Sequence, residues 1–91
     1  MTNKVSARHI LVEHEYEAQD IQKKLAEGES FEKLAQAFSK CPSKAKGGDL
    51  GAFGKGRMVP DFETAAFGLE VGQVSQPVRT RFGYHLIQRY A

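Results

Sequence analysis

Val5–Val12, with the sequence VSARHILV, is an eight-residue run that contains β-branched residues and has charged residues nearby on both sides. This pattern predicts a β-strand, in which alternate side chains lie on the same face. His9 is then expected on one face together with three apolar residues, Val5, Ala7 and Leu11. A polar ring among apolar neighbours makes His9 a first candidate for a functional residue.

Two amphipathic helices are predicted after this strand. The first is expected at about Glu15–Glu27, because Gly28 follows where a glycine commonly ends a helix. Its apolar residues at helical spacing are Ala18, Ile21 and Leu25. The second helix is expected to have Ser30 as its N-cap and to end near Ser39. Its apolar stripe is the clearest in the sequence and consists of Phe31, Leu34, Ala35 and Phe38.

The second half of the chain is expected to contain three short strands and one helix. Gly47–Gly56 is half glycine, so the backbone there turns tightly or approaches another segment closely, although Leu50–Phe53 can form a short strand. The segment fits neither a Walker nor a dinucleotide-binding pattern. Pro60 suits the first turn of a third helix of about two turns. Val74–Val78 and Tyr84–Tyr90 are expected to form a closing hairpin with residues 79–83 as its turn.

The composition and the order of elements predict one α+β domain, residues 1–91, with helices packed around a sheet in the order β-α-α-β-α-β-β. With 41% hydrophobic and 26% charged residues, the chain has enough apolar material for a core. Cys41 is the only cysteine, which excludes an internal disulfide and a cysteine-rich zinc site. No apolar run typical of a signal peptide or of a membrane span is present. We therefore expect a soluble, cytoplasmic monomer without a metal or other cofactor.

Charge is distributed unevenly along the chain. Glu13–Lys33 contains seven acidic and three basic residues, whereas Lys40–Arg57 contains five basic residues and one acidic residue. The basic segment is a short cluster, so a solvated loop is a simpler interpretation than a nucleic-acid site. Nucleic acid is therefore not the expected partner.

Several residues can carry chemistry or contact a ligand. His9 and His85 lie in the first and last strand-like runs, which are often neighbours in a small sheet, although each can also be a core histidine with a local hydrogen bond. Cys41 can act as a nucleophile only with a base and an oxyanion hole, so a packed small residue is its simpler interpretation. Three apolar residues in or beside loops either contact a ligand or cap the core: Met58, Phe62 and Phe82.

Four short motifs occur in order along the chain. They are His9–Val12 (HILV), Gly47–Gly51 (GGDLG), Gly56–Phe62 (GRMVPDF) and Phe82–His85 (FGYH). Together they resemble a parvulin, a peptidyl-prolyl cis/trans isomerase domain, from about Val5 to Tyr90. The resemblance implies the parvulin fold, a four-stranded antiparallel sheet surrounded by three to four helices.

The resemblance also implies an active site. It makes His9 and His85 the paired histidines beneath that site, with Cys41 beside them and Thr80 in their hydrogen-bond network. The residues that match the apolar pocket for the substrate proline are Leu50, Met58, Phe62 and Phe82. Parvulins directed to phosphoserine carry a basic loop after the first strand, whereas residues 13–17 here read EHEYE, and Lys40 replaces an acidic residue that often precedes the cysteine. No selectivity for phosphoserine or phosphothreonine is therefore expected.

The expected function is non-covalent acceleration of rotation about X–Pro bonds in flexible or unfolded polypeptides, without a membrane partner. The alternative is a chaperone-like module that binds proline-containing segments in the same pocket without accelerating their isomerisation. Four basic residues can ring the pocket and either favour acidic sequences or leave it unselective: Lys55, Arg57, Arg79 and Arg81.

Overall fold

The computed structural model describes residues 3–91, which form a four-stranded antiparallel sheet with helices on both faces. The predicted order β-α-α-β-α-β-β is confirmed, with an additional 3₁₀ helix before the second strand. The elements are β1 (Lys4–Val12), α1 (Glu15–Ala26), α2 (Phe31–Phe38), the 3₁₀ helix (Pro42–Lys46), β2 (Asp49–Gly54), α3 (Pro60–Gly68), β3 (Val78–Thr80) and β4 (Gly83–Arg89). Met1 and Thr2, the start of the predicted domain, lie outside the described residues.

The strand order is β2-β1-β4-β3, so the first and last strands are neighbours in the middle of the sheet. In the antiparallel pairing of β1 with β4, His9 is opposite Ile87 and Leu11 is opposite His85. Paired residues share a face, and residues two positions apart on one strand do so as well. This register therefore places the two histidines diagonally across one strand pair, on the same face.

Each face of the sheet has its own apolar core. Alternation along β1 sends Ile10 and Val12 to the face covered by α1 and α2, and Val5 and Ala7 to the face covered by α3. His9 shares the second face, where it contacts Phe62 of α3. The acidic helix α1 and the two histidines are therefore on opposite sides of the sheet.

The helices begin and end close to their predicted residues. The N–H of Lys33 donates to Ser30 Oγ at 3.4 Å, which confirms Ser30 as the N-cap of α2. α1 ends one residue before the predicted Glu27, and Gly28 follows with a φ of +97°. α1 is the longest helix, with 12 residues, and no helix within residues 3–91 is long and apolar enough to cross a membrane.

The prediction that Phe38 belongs to the buried stripe of α2 is wrong. Its side chain is 47% exposed, whereas Phe31, Leu34 and Ala35 are buried. Phe38 is the last residue of α2 and lines a shallow groove with the exposed Tyr16. It has the correct angular position on the helix but lies beyond the end of the core.

The prediction of a strand at Val74–Val78 is also wrong. Val74 makes one isolated bridge to β4, and the regular strand starts only at the end of this segment. The N–H of Ile87 donates to the hydroxyl of Ser75 at 3.0 Å instead of to a backbone carbonyl. Pro77 has no N–H to donate. These two features prevent a continuous ladder along the segment.

The closing hairpin has a tighter turn than predicted. Thr80 pairs with Gly83, so the loop contains only Arg81 and Phe82. Gly83 has a φ of +135°, and a Cβ at this position would overlap the carbonyl oxygen of Val12. Glycine is therefore required here by both the backbone conformation and the close approach of β1.

Candidate active site

A pair of buried histidines forms the base of the candidate site. The Nδ1 atoms of His9 and His85 are 3.0 Å apart, and the two rings are nearly parallel, with an interplanar angle of 17°. The side chains are 5% and 4% exposed, respectively. The structure thus brings together the two histidines that the sequence placed 76 residues apart.

Both histidines are uncharged at neutral pH. Burial lowers the pKa of His9 to about 4, and repulsion from His85 lowers it in addition. Burial also lowers the pKa of His85 to about 4. Because both rings are neutral, the short contact requires one Nδ1 to carry a proton and the other to accept it.

Thr80 extends this pair into a chain of hydrogen bonds. Its Oγ1 lies 2.7 Å from Nε2 of His85 and also accepts a hydrogen bond from the N–H of Phe82 at 3.2 Å. At the other end, Nε2 of His9 is buried and has no partner among the described residues. We assign the proton between the rings to Nδ1 of His9, because the opposite arrangement would bury an N–H of His9 without an acceptor. His85 then donates from Nε2 to Thr80.

The backbone around His9 is held by the glycine-rich segment. The N–H of His9 donates to the carbonyl oxygen of Gly48 at 2.9 Å. Gly48 has a φ of +86°, and a Cβ there would overlap the carbonyl oxygen of His9. The close backbone approach that the glycine content predicted is therefore confirmed at this position.

Phe62 packs edge-on against both histidines. Its ring centroid is 5.5 Å from that of His9 and 5.2 Å from that of His85, with interplanar angles of 82° and 83°. Phe62 lies in the first turn of α3, which starts at Pro60 as predicted, and it is only 3% exposed. The histidine pair is therefore shielded by an aromatic wall in a fixed position.

A cavity of about 510 Å³ opens above the histidines and Phe62. This volume is within the usual range for small-ligand sites, about 300–1,000 Å³. Seven of the eight candidate residues line it: His9, Cys41, Leu50, Met58, Phe62, Phe82 and His85. The eighth, Thr80, acts from outside the cavity through its contact with His85. A wider surface depression along α1, about 720 Å³, contains none of the candidate residues.

The cavity has further lining residues that were not predicted. They are Leu11, Lys40, Pro42 and Val59. Leu11 could have been predicted from the sequence, because strand alternation already placed it on the same face as His9. Lys40 and Pro42 could not have been predicted in this way, because the path of the chain between α2 and β2 depends on tertiary contacts.

Cys41 is held at the cavity by the segment that follows α2. The hydroxyl of Ser39 accepts hydrogen bonds from the N–H of Leu11 at 3.0 Å and from the N–H of Cys41 at 3.3 Å. Cys41 is partly buried, and its thiol makes no hydrogen bond to either histidine in the described structure. Cys41 is also the N-cap of the 3₁₀ helix.

Phe82 forms the exposed wall of the cavity. It is 56% exposed in the two-residue loop between β3 and β4, whereas Leu50 and Met58 are partly buried against the core cluster of α3. A large aromatic side chain exposed at the edge of a cavity is typical of a ligand contact. The alternative that Phe82 caps the core is therefore not favoured.

The family model of the PPIC-type PPIase domain, described as a rotamase, matches residues 5–91. The chain belongs to this family. A solution structure of NmPin, the parvuline of Nitrosopumilus maritimus, matches this PPIC-type domain with a TM-score of 0.91 and 49% identity, covering 100% of this chain and 99% of that chain. The expected parvulin fold is thereby confirmed.

Longer proteins contain a similar domain. The foldase protein PrsA of Geobacillus sp. (strain WCH70) is 55% identical over 86 residues, which cover 93% of this chain and 31% of that protein. A crystal structure of PrsA from Bacillus subtilis has a TM-score of 0.96 at 47% identity, covering 98% of this chain and 35% of that chain. The PPIC-type domain therefore spans about a third of the length of the curated relatives it matches.

Proposed function

We propose that this PPIC-type domain is a peptidyl-prolyl cis/trans isomerase that accelerates rotation about X–Pro bonds and thereby assists protein folding. The observation that carries the proposal is an apolar cavity of about 510 Å³ that opens onto a hydrogen-bonded histidine pair. Membership in a family described as rotamases supports the same activity. Its substrates are proline-containing segments of unfolded or flexible polypeptides.

The chemical task is to lower a rotational barrier, since no covalent bond has to break. Rotation about an X–Pro bond meets a barrier of about 18–20 kcal/mol because the twisted state loses amide resonance. The planar amide has the larger charge separation, so a site that excludes water disfavours it relative to the twisted transition state. Each tenfold acceleration requires about 1.4 kcal/mol of selective stabilisation, so a 10⁵-fold effect needs about 7 kcal/mol.

The apolar residues hold the proline ring in this mechanism. Met58, Phe62 and Phe82 grip the ring, and Leu50 completes the cup. Phe62 is buried and fixed against the histidines, whereas Phe82 lies in a short exposed loop. With one buried wall and one accessible wall in the same cavity, a chain segment can enter from solvent and then lose its water.

The polar residues set the electrostatics near the rotating carbonyl group. Because the pKa values of His9 and His85 are about 4, the pair acts there through the dipoles of two neutral rings and not through a net charge. Thr80 is a positioning residue, since it orients His85 from outside the cavity. The thiol of Cys41 adds a polarisable, weakly polar group to the lining of the same cavity.

Covalent attack by Cys41 is not part of the proposed mechanism. A thiol nucleophile needs an adjacent base and donors for an oxyanion. Neither histidine hydrogen-bonds the thiol within the described residues, so no base is in place to activate it. The mechanism therefore relies on binding and electrostatics alone.

The test is two-dimensional NMR exchange spectroscopy on a short Ala-X-Pro-Phe peptide at catalytic protein concentration. Faster cis/trans exchange of the peptide is the expected result. Binding of the peptide without faster exchange would instead assign the domain to the class of chaperone-like modules. In that case the histidines and Cys41 would have a structural role only.

We further propose that the domain acts as a monomer in the cytoplasm and does not require a phosphorylated substrate. Within residues 3–91 helices cover both faces of the sheet, which leaves no apolar sheet face there for a second copy. Cys41 is a free thiol, which suits a reducing compartment. Sedimentation equilibrium should give the 10.1 kDa mass of a single chain, and cell fractionation should place the protein in the cytoplasmic fraction. The peptide series described below tests the third point.

A further inference from the structure

We propose that three basic side chains at the mouth of the cavity make the domain prefer X–Pro bonds in which X carries an anionic side chain, an inference that rests on the proposed isomerase function. The three residues are Lys40, Arg57 and Arg81, and all of them line the cavity. Each is exposed, so its charge is available to a bound peptide.

The three charges come from three different segments around the cavity. Lys40 lies between α2 and the 3₁₀ helix, and its N–H donates to the carbonyl oxygen of Leu11 at 2.8 Å. Arg57 belongs to the connection between β2 and α3, and Arg81 to the loop between β3 and β4. The positive charge is therefore not confined to one mobile side chain.

Arg81 is held directly against a wall of the cavity. Its guanidinium carbon lies 4.9 Å from the ring centroid of Phe82, a cation–π arrangement. The backbone N–H of Phe82 in turn donates a hydrogen bond to Oγ1 of Thr80 at 3.2 Å. A cation packed on the accessible wall lies beside the path by which a peptide enters.

No carboxylate balances these charges within the described lining of the cavity. Of the two acidic residues in the first turn of α3, Glu63 accepts a hydrogen bond from the N–H of Gly56, and Asp61 does not line the cavity. The acidic segment of the chain forms α1, which packs on the opposite face of the sheet. The described lining of the cavity therefore carries three cations and no carboxylate, and its apolar walls reduce the screening of these charges by water.

The residue before proline is the one best placed to use this charge. In the proposed mechanism the proline ring occupies the cup of Met58, Phe62 and Phe82, and the carbonyl before it faces Cys41 and the histidines, which line the same cavity. Lys40 is the immediate neighbour of Cys41 along the chain. The side chain of X then leaves the cup close to the cationic mouth. The three cations can attract either a carboxylate or a phosphate on the side chain of X. We assign the carboxylate of an acidic residue as the preferred group.

The test compares exchange rates of Ala-X-Pro-Phe peptides with X as glutamate, its neutral isostere glutamine, lysine, serine and phosphoserine. We expect kcat/KM for glutamate to exceed that for glutamine about five- to tenfold at low ionic strength, as about three charges at about 10 Å in water would give. Above about 0.5 M salt, where the Debye length is only a few Å, the ratio should fall below about twofold. Lysine should be the slowest substrate of the set.

Two matched variants locate the effect. K40Q/R57Q/R81Q is expected to abolish the glutamate-to-glutamine ratio, whereas K33Q/K44Q/K55Q, which removes three exposed charges outside the cavity, should keep it. Equal rates for glutamate and glutamine in the unmodified domain, or an unchanged ratio in the first variant, would overturn the proposal. Phosphoserine turned over more than a hundredfold faster than glutamate would replace the carboxylate assignment by a phosphate site. Absence of acceleration for every peptide would overturn the isomerase function itself, which is a different result.

Discussion

Acidification from pH 7 to pH 5 is expected to destabilise this domain through its two buried histidines. The pKa of each ring is about 4 in the folded protein, mainly because of burial, and returns to 6.5 in the unfolded chain. The unfolded state therefore takes up protons first as the pH falls. The stabilisation from the neutral pair is fully present above about pH 6.5 and is lost progressively towards about pH 4.

The size of the effect follows from the two pKa values. At pH 5, one such histidine favours unfolding by about 2 kcal/mol relative to pH 7. The two histidines take up protons independently in the unfolded chain, and both stay mostly neutral in the folded protein at pH 5, so we expect a total loss of about 4 kcal/mol, twice the single value. The hydrogen bond from the hydroxyl of Tyr90 is the main reason why the pKa of Asp49 is lowered. Protonation of Asp49 therefore destabilises the folded domain only at a lower pH than the protonation of the histidines does.

The assay is urea unfolding at both pH values, followed by far-ultraviolet circular dichroism because the chain contains no tryptophan. The free energy of unfolding should fall by about 4 kcal/mol at an unchanged m-value, a large part of the 5–15 kcal/mol typical of small domains. H9Q is expected to lower stability at pH 7 but to reduce the further loss at pH 5 to about half. H14Q, at an exposed position before α1, should keep the full loss.

Two results would contradict this reasoning. The first is an equal free energy of unfolding at pH 7 and pH 5 in the unmodified protein. The second is a full loss retained in H9Q. Either one would mean that burial of the histidine pair does not control its protonation.

Three further substitutions test separate parts of the structure. C41S should keep isomerase activity within about tenfold, since no covalent step is expected, and complete loss with folding intact would contradict this. F82A should weaken peptide binding by about 1–2 kcal/mol with little effect on unfolding, because Phe82 is 56% exposed, and unchanged affinity would exclude its contact role. G83A should lower the free energy of unfolding by more than about 2 kcal/mol, because the added Cβ overlaps the carbonyl oxygen of Val12. In the control G68A the Cβ meets no atom, so the free energy of unfolding should change by less than about 1 kcal/mol. Similar unfolding curves for the two variants would refute the requirement for glycine at position 83.

Local patterns were sufficient to predict most of the elements. The alternation in Val5–Val12 and the stripe of α2 are properties of consecutive residues, so they can be read without knowledge of the fold. Predictions failed where a distant contact decides the structure. Val74–Val78 is not a regular strand because the hydroxyl of Ser75 takes the place of a backbone carbonyl in its pairing with Ile87 of β4. Phe38 is exposed because the core ends before it.

The candidate residues show the same division. Apolar loop positions and the parvulin motifs indicated the members of the site, and seven of the eight line one cavity. The cations of its mouth could not be chosen from sequence. Arg57 and Arg81 line the cavity whereas Lys55 and Arg79 do not, and the direction of a long side chain in a loop depends on the packing around it.

The sequence by itself determined most of the elements and their order, the candidate residues at the base and walls of the cavity, and the single cysteine, because periodicity, turn residues and motifs are local. The tertiary structure alone decided the register that brings Nδ1 of His9 to 3.0 Å from Nδ1 of His85. It also decided the neutral state of both rings, since desolvation is a property of the folded surroundings. Charge and hydrogen bonding at this site arise from segments as far apart as β1 and β4, whose contact exists only after the sheet has formed.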